Sequence, residues 1–325
     1  MCAGLLCALA VATAGAAVQV NAQQASDWPN KPVRFIVPFP PGGSVDPLAR
    51  LTGARLNAAL GQQFVVDNRP GGSGAIGTAL GAKSAADGYT YVVVFDTHAV
   101  NPALISNLPY DTLKDLSNVM LVGTAPMVLT THPSKPYKNL DDVIKLAKAK
   151  PATLTFGSVG SGSLGHLAMM LAQQQGGMKM IHIPYKGGGP ATTDAIGGQI
   201  DFAITSVAVP LQHIRAGRLR AVVTTGETRA PTMPEVPTMI EGGLTGLAAH
   251  AWWGIVAPAG IPRPIADKMH AELVKVYKQP EIRKQLTEQF GMDMKVSTSA
   301  EMTKFLTSEI ARWGKVVKEN GIRAD

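Results

Sequence analysis

Glycine and hydroxyl residues crowd three turns of this chain, and what they offer is a grip on an anion. The first turn runs from Pro38 to Pro47 (PFPPGGSVDP), directly after an apolar strand. Phe39 stands at its head. Gly42, Gly43 and Ser44 follow, with backbone N–H groups that no glycine Cβ obstructs. Such amides at a helix N-terminus attract negative charge. Asp46 before Pro47 reads as a helix N-cap followed by proline at the first helical position. The second turn, Gly157 to His166 (GSVGSGSLGH), holds Ser158, Gly160, Ser161 and Ser163, more than a tight turn needs. Each serine can offer a hydroxyl and an amide to a carboxylate, and charged hydrogen bonds contribute roughly 1.5–3 kcal/mol each. His166, in the first turn of the next helix, either touches a ligand or braces the loop.

The third turn, Asn68 to Gly77 (NRPGGSGAIG), reads as structural by default. It also spells GxGxxG at Gly72, Gly74 and Gly77, with Asp96 at a suitable distance after the next strand. Gly160, Gly162 and Gly165 spell it too, without an acid closing the following strand. The pattern alone is weak evidence for a dinucleotide. An NAD-binding oxidoreductase or another exported α/β enzyme is the alternative it leaves open. No serine sits in G-x-S-x-G, no H-E-x-x-H occurs, and the seven histidines show no metal spacing. No metal or cofactor is expected.

The elements that must position these turns alternate. Val33–Val37, Phe64–Val66 and Tyr91–Phe95 read as strands, separated by helical spacing over Pro47–Leu60 and Ile76–Lys83. The cycle repeats from Leu140 to Val223, and three helices over Ile265–Tyr277, Pro280–Gln289 and Ala300–Glu319 close the chain. This rhythm predicts an α/β protein with mixed, mainly parallel sheets. Leu121–Thr131 and Ala251–Val256 read as crossings between two sheets, making a clam with a ligand cleft between its lobes.

Composition narrows the partners. The chain has 325 residues, 30 basic against 23 acidic, and only 6% aromatics, so its net charge of +7 lacks the aromatic interleaving that nucleic-acid binding uses. Residues 1–22 are apolar and small and end in Val20-Asn21-Ala22, the pattern of an export signal. Cys2 and Cys7 both fall within it, so the exported chain is expected to contain no thiol.

In these turns the chain resembles the Bug-type (TctC-like) extracytoplasmic receptors of tripartite tricarboxylate transporters. The resemblance spans about Trp28 to Ile322 and includes Trp28-Pro29, Asn68-Arg69-Pro70-Gly71, Pro184-Tyr185-Lys186-Gly187, Asp194, Gly197-Gly198-Gln199 and Ala257-Pro258-Ala259-Gly260. It implies a two-lobed periplasmic-binding-protein fold (type II) with lobes at 27–130 plus 253–325 and at 131–252. It implies a non-catalytic, periplasmic receptor, expected to be monomeric, that closes on a small carboxylate and delivers it to membrane transporter subunits. Carried over residue by residue, the ligand contacts are Phe39, Gly42, Gly43, Ser44 and Asp46 from one lobe. Ser158, Gly160, Ser161, Ser163 and His166 come from the other, with Thr97, His98 and Asn101 facing the same cleft. Asp194 and Thr205 complete the expected set. Met169-Met170 and Thr205-Ser206 stand where relatives commonly carry acidic or amide residues, so the far end of the ligand is expected to differ.

Overall fold

The computed structural model describes residues 27–322, and the segment read as an export signal lies outside the described residues. The chain runs β1 (Val33–Val37), α1 (Val45–Leu60), β2 (Phe64–Asn68), α2 (Ala75–Ala82), β3 (Thr90–Phe95), α3 (Thr97–Leu104) and β4 (Leu116–Thr131). It continues through α4 (Leu140–Ala149), β5 (Thr155–Ser158), α5 (Leu164–Gly176), β6 (Ile181–Pro184), α6 (Gly188–Ile196), β7 (Phe202–Ser206), α7 (Leu211–Arg215) and β8 (Arg220–Thr224). It ends with β9 (His250–Pro258), α8 (Arg263–Lys278), α9 (Pro280–Phe290), β10 (Asp293–Met294) and α10 (Ser299–Glu319).

β1 pairs in parallel with β2 and β3, and β5 in parallel with β6 and β7, as helical crossovers require. The strands that pass between lobes are antiparallel to their neighbours: β9 to β3 and β4, and β4 to β7 and β8. A chain that enters the second lobe must also return, so its two crossings run in opposite directions. Local alternation in the sequence does not reveal that.

β4 belongs to both sheets. Pro126 is its last partner to β9, opposite His250, and Met127 is its first to β7, opposite Ser206. Thr225 ties the two crossings together. Its hydroxyl accepts from the Met127 amide at 2.9 Å and donates to the carbonyl of Ala249.

Strand alternation sorts the first lobe's core into two layers. Tyr91, Val93, Phe95 and Trp253 enter one, while Val92, Val94 and Trp252 enter the other with Met302 and Leu306 of α10. The first sheet, mixed but parallel over β1 to β3, is therefore covered on both faces. α10 starts with a capping box in which Thr298 and Glu301 satisfy each other's amides.

Candidate ligand site

The first loop leaves the end of β1 and turns into α1. Ser44 stands at the N-cap position, yet its hydroxyl does not cap the helix. It points into the space between the lobes, accepting from Trp253 Nε1 at 3.1 Å and from Ser206 Oγ at 3.3 Å. The second of these bonds joins the lobes. Trp253 in turn packs on Phe95, and Phe95 on Phe39, so an aromatic stack backs the loop.

Asp46 corrects the sequence reading. The helix begins at Val45, so Asp46 lies within the first turn instead of capping it. A first turn does not use its own amides and so accommodates Pro47. The Asp46 carboxylate receives Asn68 Nδ2 at 2.9 Å and Arg50 Nε at 3.0 Å, which locks α1 to β2 within its own lobe.

The second loop, between β5 and α5, is braced by its own side chains. Ser158 donates to the Gly160 carbonyl at 2.9 Å, and Ser163 caps α5 by accepting from the His166 amide. His166 Nδ1 accepts the Gly162 amide at 3.0 Å, and its ring stacks on His182 at 3.8 Å. Gly162 has φ +71, and a Cβ there would lie 2.0 Å from Leu104 of the other lobe. A side chain there would push the Leu104 side chain aside and strain the left-handed backbone.

The lobes meet along these loops. Ser73 Oγ donates to the Ser161 carbonyl at 2.8 Å, and Asn101 Nδ2 holds the Ser73 carbonyl at 3.2 Å. Phe39, Gly43, Ser44, Phe95, Val159 and Ser206 border a space of about 10 Å³, room for roughly one water. A groove of about 470 Å³ lies at Gly42, with Tyr185, Asp194 and His213 on its other side. Asp194 accepts the Tyr185 hydroxyl at 2.6 Å. Thr205 is buried next to Ser206, and Thr97 packs at Gly74.

Two expectations land elsewhere. His98 is buried inside the first lobe, stacked on Tyr110 and edge-on to Trp252, because the segment forms helix α3 and turns that ring inward. Burial holds its imidazole down at about 4, so it is neutral at pH 7. Met169 lies in the second lobe's core, with Met170 packed against it, so this pair does not shape the seam.

Several polar or aromatic residues at or beside the seam were not singled out as site residues, among them Ser73, Asp96, Ser206 and Trp253. Asp96 had one available signal, since the ends of strands in α/β sheets are where ligands gather. It was read only as the acid of a dinucleotide pattern. Its complete burial removes it from that role, and Gly77 serves packing, because a Cβ there would lie 2.9 Å from Pro38 Cα.

The chemistry of the seam is that of holding. Ser158 lies 2.7 Å from His182 Nε2, the separation of a nucleophile and its base. The same hydroxyl bonds both the carbonyl and the amide of Gly160, so Ser158 and His182 brace the turn of the second loop.

Two lobes joined by crossing strands, with facing loops of amides and hydroxyls, define a solute-binding receptor. The sequence pattern of the "Tripartite tricarboxylate transporter family receptor" family matches residues 48–322, and the chain belongs to that family, whose members are receptors and not enzymes. Protein BugT of Bordetella pertussis is 38% identical over 315 residues, covering 96% of this chain and 95% of BugT. A structure from R. palustris solved with adipate superposes with a TM-score of 0.87 at 32% identity, covering 91% of this chain and 99% of that one. MatC from Rhodopseudomonas palustris with bound malate gives 0.84 at 30% identity, covering 89% and 100%.

Proposed function

We propose that this protein is an extracytoplasmic receptor that captures a small carboxylate and delivers it to a tripartite tricarboxylate-type membrane transporter. The ligand class is a di- or tricarboxylate or an aromatic acid. The observation that carries this reading is the meeting of Ser44 and Ser206, buried hydroxyls on different lobes whose oxygens lie 3.3 Å apart. An acid entering between them finds donors on both sides, and neither lobe alone supplies the full set. Closure is then stabilised by the acid's greater affinity for the closed form. Relatives solved with adipate and with malate support a carboxylate as the cargo.

The moving halves are 27–130 with 253–325, and 131–252, hinged near the sheet exchange at Pro126 and His250. The apolar segment at 1–22 supports export to the periplasm, where the receptor acts as a monomer. Site contacts in this reading are Phe39, Gly42, Gly43, Ser44, Thr97, Gly160, Ser161, Thr205 and Ser206. Ser158, Ser163 and His166 hold the second loop in shape, and Asp194 stands at the rim.

Thermal unfolding against a panel of carboxylates, with NAD included, tests this. A cargo at about 1,000 times its dissociation constant adds roughly 4 kcal/mol, a rise on the order of 8 °C. A selective rise with an acid that is recovered unchanged supports the receptor. A rise with NAD alone, or turnover of any compound, overturns it.

A further inference from the structure

A pocket of about 410 Å³ lies where the two sheets exchange, and no residue of the two cleft loops lines it. Small-molecule sites commonly enclose about 300–1,000 Å³ and favour the junction of two domains. Both lobes wall this one. Pro126 and His250, the last pair between β4 and β9, are among its lining residues. Arg283 and Thr287 of α9 come from the first lobe, with Met292 and Met294 beyond them. The second lobe supplies the segment 228–232 that follows β8.

The charged groups of the pocket differ in how far they are committed. Arg229 is engaged by Glu241 at 3.0 Å, His250 faces Glu227 at 3.3 Å, and Asp293 is paired with Lys295. Arg283 makes no ion pair among the described residues, so the pocket keeps one uncommitted cation. Its guanidinium offers a fork of donors that fits an oxyanion. Thr287 stands four residues on and so shares a face of α9 with it, adding a hydroxyl, and Thr228 brings another from the opposite lobe. The rest of the wall is apolar. Ala125, Ala230 and Met292 are buried there, and Met294 is half-buried. Methionine side chains adapt to the shape of what they meet.

We propose that this pocket is a second ligand site, for a small anion that joins one oxyanion group to an apolar body. Arg283 and Thr287 hold the oxyanion, and Met292 and Met294 cover the body. The site is separate from the cargo cleft and stands whether or not the cargo is a carboxylate.

Calorimetric titration of the purified protein with hexanesulfonate tests this, with sulfate and hexanol as controls that each lack half of the chemistry. Hexanesulfonate should bind about tenfold or more tighter than either control. Arg283→Gln should weaken it about tenfold, as loss of a charged hydrogen bond does. Thr287→Trp, which sets a large ring in the pocket, should weaken it as well. Both side chains are exposed, so both variants should fold. No binding of hexanesulfonate overturns the proposal, and so does equal binding of sulfate or hexanol. Parent-like binding in both variants does the same. A loss seen in Ser44→Ala and in neither α9 variant would put the probe in the cleft and also overturn it. The receptor reading survives each of these results, because the carboxylate panel tests it separately.

Discussion

Two turns of this protein share the spacing GxGxxG, yet they are held in different ways. The turn containing Gly72, Gly74 and Gly77 is fixed by packing. A Cβ on Gly77 would sit 2.7 Å from the Arg69 carbonyl, and one on Gly74 3.2 Å from the ring of Phe39. The turn containing Gly160 and Gly162 is fixed by polar bracing, through Ser158, Ser163 and His166, and it faces the other lobe. The two touch where Ser73 donates to Ser161. Spacing therefore says that the backbone turns tightly, and only the neighbours say what the turn is for. Damage to the first turn should cost stability, and damage to the second should cost affinity.

Gly77→Val gives the largest effect, because the backbone atoms it meets cannot step aside. It should lower the unfolding free energy by about 3 kcal/mol or more in denaturant titration. A loss under about 1 kcal/mol would break the contrast.

His98 sharpens the contrast by pH. Its folded value, about 4, lies below the ordinary value of 6.5, so between these the unfolded chain holds the extra proton. Its contribution is therefore complete above about pH 6.5 and is lost as pH falls toward 4, by an amount on the order of 3 kcal/mol. His98→Phe removes that term. Between pH 6.5 and 4 the variant should lose less stability than the parent by about this amount, and parallel curves would contradict the burial described here.

Gly162→Ala has the smallest effect on stability and a clear one on binding. A left-handed φ and contact with Leu104 oppose it, at roughly 1 kcal/mol in the free protein. Because the added methyl pushes on the opposite lobe, affinity for the cargo acid should fall about tenfold. Unchanged affinity would show that this approach of the lobes is not used in binding.

Much of this was legible in the chain. The apolar runs between glycine-rich turns placed most strands and helices, and the turns themselves led to the seam. What was not legible depends on contacts distant in sequence. Ser44 reads as a ligand contact from its loop alone, but its partners Trp253, 209 residues away, and Ser206 are set by the fold. Asp46 reads locally as a helix N-cap, whereas the fold engages it with Asn68 and Arg50. His98 carried no mark of which side of α3 it would take, and the burial of Asp96 needs α5 from the other lobe. Antiparallel pairing at the crossings follows from the chain's return, which no local pattern records.

The central claim is that one carboxylate bridges Ser44 and Ser206. Calorimetric titration of Ser44→Ala and Ser206→Ala with the acid that gives the largest thermal rise tests it most directly. Each variant should fold and bind about tenfold or more weakly, in keeping with the loss of a charged hydrogen bond. If both bind that acid as tightly as the parent protein, the clamp lies elsewhere and the account is wrong.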